Sequence, residues 1–197
     1  GGGLQNIDQT SVVLLPIDSY EPDDNYTQAH WLTTDGASQL HTLNKVNDSD
    51  YFKFNATKDV IYRISTIDCV NADSIITLYD SDGAFVFATN DQYHYGDEYE
   101  CSRIGWKFYA NGTYYFKVGS YLGSPGGGYN IRVNATNFTD DNFEFDDVPS
   151  NANWILTNGT GQRHNLFTTY DIDIVKFNAT KDNVFAIVID NIMQISL

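Results

Sequence analysis

Carboxylates cluster at positions that recur along this chain. Carboxylates held in close, repeated sets are the natural ligands of Ca²⁺, which takes about six to eight oxygens. Other side chains offer less chemistry. A catalytic nucleophile needs a base and an orienting group beside it, and the four histidines, His30, His41, His94 and His164, stand in no such pattern. His41 and His164 fall at equivalent positions of an internal repeat, which marks a structural position rather than a single active site. The chain contains no GxSxG, HExxH or CxxC, and no Gly-rich loop followed by Lys. The run GSPGGG (123–128) lacks the strand-to-helix setting of a phosphate loop and reads as a flexible hairpin. Asp97 and Glu98 read as loop solvation. These residues describe a protein that is not an enzyme. Trp31, Trp106 and Trp154 would suit a sugar or peptide platform, but the first and last recur in the repeat, which favours core packing.

The asparagines carry a second kind of chemistry. Eight N-x-S/T sequons occur, at Asn25, Asn47, Asn55, Asn111, Asn134, Asn137, Asn158 and Asn178, where about three would arise by chance. The excess points to N-linked glycans and an exported, extracellular protein. In that setting Cys69 and Cys101 are expected to form a disulfide.

The elements that position these groups are duplicated. Asp18–Ser65 aligns without a gap on Asp141–Val188, at an offset of 123, with 21 identities in 48 positions. DSYEPDD answers DNFEFDD, and DSDYFKFNATKD answers DIDIVKFNATKD, with Trp31, Gly36 and His41 matched by Trp154, Gly159 and His164. Gly1-Gly2-Gly3-Leu4 likewise resembles Gly126-Gly127-Gly128-Tyr129. The organisation expected is the last strand and linker of a preceding module over 1–17, a complete module over 18–138, and the first half of another over 139–197. A half module lacks strands to bury its interior. Another copy, or an adjacent module, is expected to complete it and to pair with the strand near Leu4–Leu15.

Composition agrees with β structure. Tyr (14) and Phe (12) dominate the aromatics, and such rings suit a half-buried pleated face. Tyr51–Asn55 alternates, placing Phe52 and Phe54 on one core face. Further strands are expected at 60–66, 74–79, 84–89, 104–109, 113–118 and 129–133. Asp80–Gly83 and Asn111-Gly112 are the expected hairpin turns, with a short helical turn near Tyr26–Trp31. The net charge of −15 opposes nucleic-acid binding, and no apolar run has the roughly 20 residues of a membrane span.

Five stretches in order carry a family resemblance: Glu21-Pro22-Asp23-Asp24, Asp48-Ser49-Asp50-Tyr51-Phe52, Thr77-Leu78-Tyr79-Asp80, Gly112-Thr113-Tyr114-Tyr115-Phe116 and Gly127-Gly128-Tyr129. Together they resemble the bacterial pre-peptidase C-terminal domain, over nearly all of 18–136, and half of the pattern returns in 141–197. The resemblance implies all-β, jelly-roll-like antiparallel β-sandwich modules in tandem. Such domains are non-catalytic and bind substrates, assist secretion or act as spacers, and they include the collagen-binding domains of clostridial collagenases.

The resemblance also implies calcium, held by the acidic opening and the acidic turn before the D-Y-F strand. The matching positions are Glu21, Asp23, Asp24, Asp48 and Asp50, and in the second copy Glu144, Asp146, Asp147, Asp171 and Asp173. Phe145 stands where the first copy has Pro22. A cation there would lock the inter-module linker onto the sandwich. The function expected is a glycosylated structural module of a surface fibre or filament. The alternative is an accessory protein- or glycan-binding domain of a secreted hydrolase.

Overall fold

The computed structural model describes residues 16–91, 101–123, 125, 127–136, 141, 143, 146, 149–166 and 171–190. Its strands, in chain order, are β1 (His30–Trp31), β2 (Gln39–Leu43), β3 (Ser49–Ala56), β4 (Ile61–Val70), β5 (Ser74–Tyr79), β6 (Val86–Asn90), β7 (Arg103–Lys107), β8 (Gly112–Ser120), β9 (Gly127–Ala135), β10 (Asn153–Trp154) and β11 (Val175–Lys176). A 3-10 turn at Tyr26–Gln28 is capped by the Asn25 side chain. No helix among the described residues is long and apolar enough to cross a membrane.

Two sheets face each other. One runs β1-β3-β8-β5-β6 and the other β2-β9-β4-β7, while β10 and β11 form a separate pair. All pairings within the sandwich are antiparallel except β1 with β3. The alternation of β3 places Phe52 and Phe54 inward, as expected, and β8 answers with Phe116 and Val118. Leu43, Ile64, Ile104, Tyr129, Ile131 and Val133 meet them from the other sheet. Phe116 stacks on Phe52 at 5.1 Å. Each such ring contributes about 1.5–3 kcal/mol on burial.

The strands expected among the described residues all form, while the strand expected near Leu4–Leu15 lies outside them; the connections differ from expectation in two places. Asp80–Gly83 does close the β5–β6 hairpin: Gly83 has φ 73° and its N–H donates to Asp80 O. Asn111-Gly112 instead links β7 to β8, which lie in different sheets. Its anchor is the Asn111 side chain, whose Oδ1 accepts from Lys58 N at 2.7 Å. The stretch 123–128 also connects strands of different sheets, β8 and β9. Adjacency in sequence suggests hairpins, whereas a sandwich shares its strands between layers.

Cys69 and Cys101 are disulfide-bonded, tying the end of β4 to the segment entering β7.

The described residues between 141 and 176 repeat local geometry of the first copy. Asn153 and Trp154 pair in parallel with Val175 and Lys176, as His30 and Trp31 pair with Phe52 and Lys53. Asn165 N donates to Asp141 Oδ2 at 2.7 Å, and Thr42 N to Asp18 Oδ2 at the same distance. Beyond this the copies diverge in burial. Ile61 and Ile64 are buried, while their counterparts Val184 and Ile187 are 99% and 75% exposed.

Trp31 and Trp154 are not core residues: they are 52% and 56% exposed. Each lies beneath a lysine, Lys53 or Lys176, with Nζ 5.2 Å from the ring. β1 is the edge of its sheet, so its outward face meets solvent, and the repeated partner is a cation rather than an apolar layer. Trp106 does pack against the core, stacked on Phe87 at 5.3 Å.

Candidate metal centre

The linker before β1 folds back over the open end of the sandwich. Asp18 fastens it: one carboxylate oxygen accepts from Tyr20 N at 2.9 Å, the other from Thr42 N. Tyr20 then stacks on the His41 ring at 4.3 Å. These contacts bring Glu21 and Asp23 against Asp48 and Asp50 at the entry to β3.

Glu21, Asp48 and Asp50 each offer an oxygen within 4.8 Å of the others. Asp48 is partly committed, since it caps the turn before β3 by accepting from Asn44 N, Lys45 N and Ser49 N. Asp50 accepts from the Tyr129 hydroxyl through Oδ2, while its buried Oδ1 has no partner. Asp23 is 1% exposed, and neither of its oxygens has a hydrogen-bond partner. His41 is fully buried, with Nδ1 unpartnered, 3.9 Å from Asp18 and 4.0 Å from Asp23. Acceptors without donors therefore converge in a buried space, an arrangement that costs free energy unless protons or a cation intervene.

The electrostatics express that cost. Burial pushes the Asp23 carboxyl up to about 7, and Glu21, Asp18, Asp48 and Asp24 add to the rise. Asp50 is pushed to about 9, chiefly by burial, with the Tyr129 hydrogen bond opposing and Asp23, Asp48 and Asp18 reinforcing. Burial lowers His41 to about 4 against the pull of Asp18. Lys45 Nζ reaches Asp48 at 3.5 Å from the surface side; a dication would supply further positive charge, and an all-oxygen set with orphaned carboxylates would suit Ca²⁺. Glu21, Asp23, Asp48 and Asp50 are the residues that would hold it. Asp24 stands apart, exposed and paired with Lys45 at 2.7 Å.

In the second copy, Asp141, His164 and Asp173 present ligand atoms within 4.8 Å of one another. Asp146 is buried and accepts from Asn153 Nδ2 at 3.1 Å. Asp173 is pushed to about 6 by burial, with His164 opposing and Asp171, Asp146 and Asp141 adding. Glu144 and Asp147 lie outside the described residues.

Sequence reasoning missed Asp18, His41 and Tyr129, with Asp141 and His164 in the second copy. The signal was present for four of them: Asp18/Asp141 and His41/His164 are identical across the repeat. Among the sequons, Asn25, Asn47, Asn55, Asn111, Asn158 and Asn178 are exposed. Asn134 is half-buried, its amide pressed on Gly36, where φ is 88° and no Cβ fits. Asn137 lies outside the described residues.

No known protein family profile matches the sequence, and no curated protein matches it. Among solved structures, the chain is similar to the pre-peptidase C-terminal domain of a collagenase from Bacillus anthracis. The identity is 19% and the TM-score 0.41, over 53% of this chain and 93% of that one. It is also similar to PliG from Aeromonas hydrophila, a periplasmic inhibitor of g-type lysozyme, at 9% identity and TM-score 0.38, over 53% and 95% of the two chains. PliG from Salmonella Typhimurium gives 17% and 0.36, over 51% and 88%.

Proposed function

We propose that this chain is a non-catalytic, glycosylated segment of an extracellular structural array, a surface fibre or filament of tandem β-sandwiches whose linkers are clamped by Ca²⁺. One observation carries the reading: the strand pairing and the aspartate hydrogen bond that fasten the first linker recur in the second copy at the same register, each beside a group of buried or half-buried ligand residues. A site rebuilt at each linker serves the spacing of units rather than turnover of a substrate. The exposed apolar side chains of 184–189 suit strands supplied by another copy or an adjacent module. The disulfide and the exposed sequons suit an oxidising compartment outside the cytoplasm.

A second reading has its own support. The outer face of the five-stranded sheet carries an in-register row of Trp31, Lys53, Tyr115 and Tyr79, with Tyr51 stacked on Tyr79 at 6.3 Å. An exposed tryptophan and half-buried tyrosines beside lysines suit an accessory domain that holds a protein or glycan.

The intact mass of the protein from its native source separates the two. The array predicts further modules and N-glycans beyond the 22.2 kDa of this polypeptide. A catalytic domain in the same chain selects the binding reading, and a bare, unglycosylated 22.2 kDa chain overturns the array.

A further inference from the structure

The two histidines of the repeat sit among carboxylates in a way that calcium alone does not explain. Gln39 Nε2 donates to Trp31 O at 3.1 Å, and Gln162 Nε2 donates to Trp154 O at 2.7 Å. Each glutamine therefore turns Oε1, which can only accept, toward a histidine Nε2, at 3.4 Å for His41 and 3.2 Å for His164. The Nε2 atoms must carry the protons. In the neutral rings, Nδ1 then presents a lone pair to the carboxylates.

Those Nδ1 atoms lie 3.9 and 4.0 Å from Asp18 and Asp23 in the first copy, and 3.7 Å from Asp173 in the second. The gaps exceed a hydrogen bond. They are close to the roughly 3.4 Å that separates two ligands about 2.1 Å from a tetrahedral metal. In the first copy the site is largely enclosed: His41 is 0% and Asp23 1% exposed, both with unpartnered atoms, and Asp18 12%. Rings hold each imidazole in place, Tyr20 at 4.3 Å from His41 and Phe143 at 4.7 Å from His164. A histidine whose other nitrogen donates to a fixed acceptor is the usual outer support of a metal-ligating imidazole.

We propose that each copy holds a mixed imidazole–carboxylate site for a transition-metal dication of the Zn²⁺ type, formed by Asp18, Asp23 and His41 in the first copy and by Asp141, His164 and Asp173 in the second. Nitrogen donors favour such ions over Ca²⁺, which prefers oxygen. The site shares Asp23 and Asp173 with the calcium set but does not depend on calcium binding there. Its consequence is structural: the ion joins the incoming linker to His41 of β2 in the first copy, and Asp141 to His164 and Asp173 in the second.

The test is a titration of the chelator-treated 197-residue chain with Co²⁺, followed by visible absorption and X-ray absorption, with a parallel Ca²⁺ titration. About two equivalents of Co²⁺ with imidazole nitrogen in the first coordination sphere are expected. The His164→Ala variant, altered at a partly exposed position, should bind about one equivalent, with the remaining Co²⁺ still imidazole-coordinated. No Co²⁺ uptake, or uptake without imidazole coordination, overturns the proposal even if Ca²⁺ binds. Imidazole-bound Co²⁺ without any Ca²⁺ response upholds it and removes the calcium reading instead.

Discussion

The hydroxyl of Tyr129, in β9 of one sheet, donates its proton to Oδ2 of Asp50, in β3 of the other. Both side chains are fully buried. That bond carries the core of the sandwich into the acidic site, so the state of the carboxylates bears directly on fold stability. Burial, with Asp50 beside it, holds the Tyr129 hydroxyl well above its usual range, so it stays a donor throughout.

The pH dependence follows. Asp23 and Asp50 have raised pKa values, about 7 and about 9, so the native state retains protons that the unfolded state releases above about 4. Their stabilisation is present below that point and is lost as pH rises through 7 and then 9. His41, lowered to about 4, acts oppositely: its stabilisation is present above about 6.5 and is lost as pH falls toward 4. The two signs offset one another between about 4 and 6.5. Above 6.5 only the carboxylates act. Chemical denaturation of the chelated protein should therefore show falling stability from pH 6.5 to 9.

Asp23→Asn separates cation binding from packing. At pH 8 the substitution removes a buried charge and should stabilise the metal-free protein by about 1–3 kcal/mol. The same variant should lose most of the stabilisation that Ca²⁺ gives the parent. Denaturation midpoints with and without Ca²⁺ measure both effects.

Phe116 and Trp31 should behave in opposite ways. Phe116→Ala empties a fully enclosed position against Phe52 and Phe54 and should cost about 3–5 kcal/mol. Trp31→Ala removes an exposed ring whose described contact is Lys53, costing about 0.5–1 kcal/mol. Thermal unfolding reads both. If Trp31→Ala keeps its stability yet loses adhesion to a protein or glycan surface, the binding reading gains.

Opening the disulfide should be expensive. Cys69 and Cys101 are 32 residues apart, so the double Ser variant should lose about 3–4 kcal/mol by loop closure. Urea midpoints of the variant and parent give the comparison.

Glycan occupancy should follow exposure. Asn111 accepts through Oδ1 from Lys58 N, and Asn55 through Oδ1 from the Thr113 hydroxyl, and both residues are exposed. Asn134 packs on Gly36. Peptide mapping after expression in a glycosylating host should find Asn55 and Asn111 occupied and Asn134 bare.

Much of this was legible in the sequence because period-two alternation fixes which face of a strand is buried. Phe52 and Phe54 needed no further information, and the inward Tyr114, Phe116 and Val118 of β8 follow the same alternation. Sheet partnership was not legible: β7 and β8 are neighbours in sequence but belong to different layers. Trp31 was misjudged because recurrence reports a repeated role without saying whether that role is inside or outside. His41 was set aside on the same recurrence, although its environment depends on a linker that contacts it only after folding. The five acidic positions were visible as charges. Only the fold distinguishes orphaned Asp23 from Asp24, neutralised at the surface by Lys45.

The most direct measurement is calorimetric titration of the chelator-treated chain with Ca²⁺ at pH 7, repeated in buffers of different ionisation enthalpy. Since Asp50 holds a proton there and Asp23 is half-titrated, saturable binding should release protons and the apparent heat should vary with the buffer. No binding at millimolar Ca²⁺, or binding with a buffer-independent heat, would contradict the account.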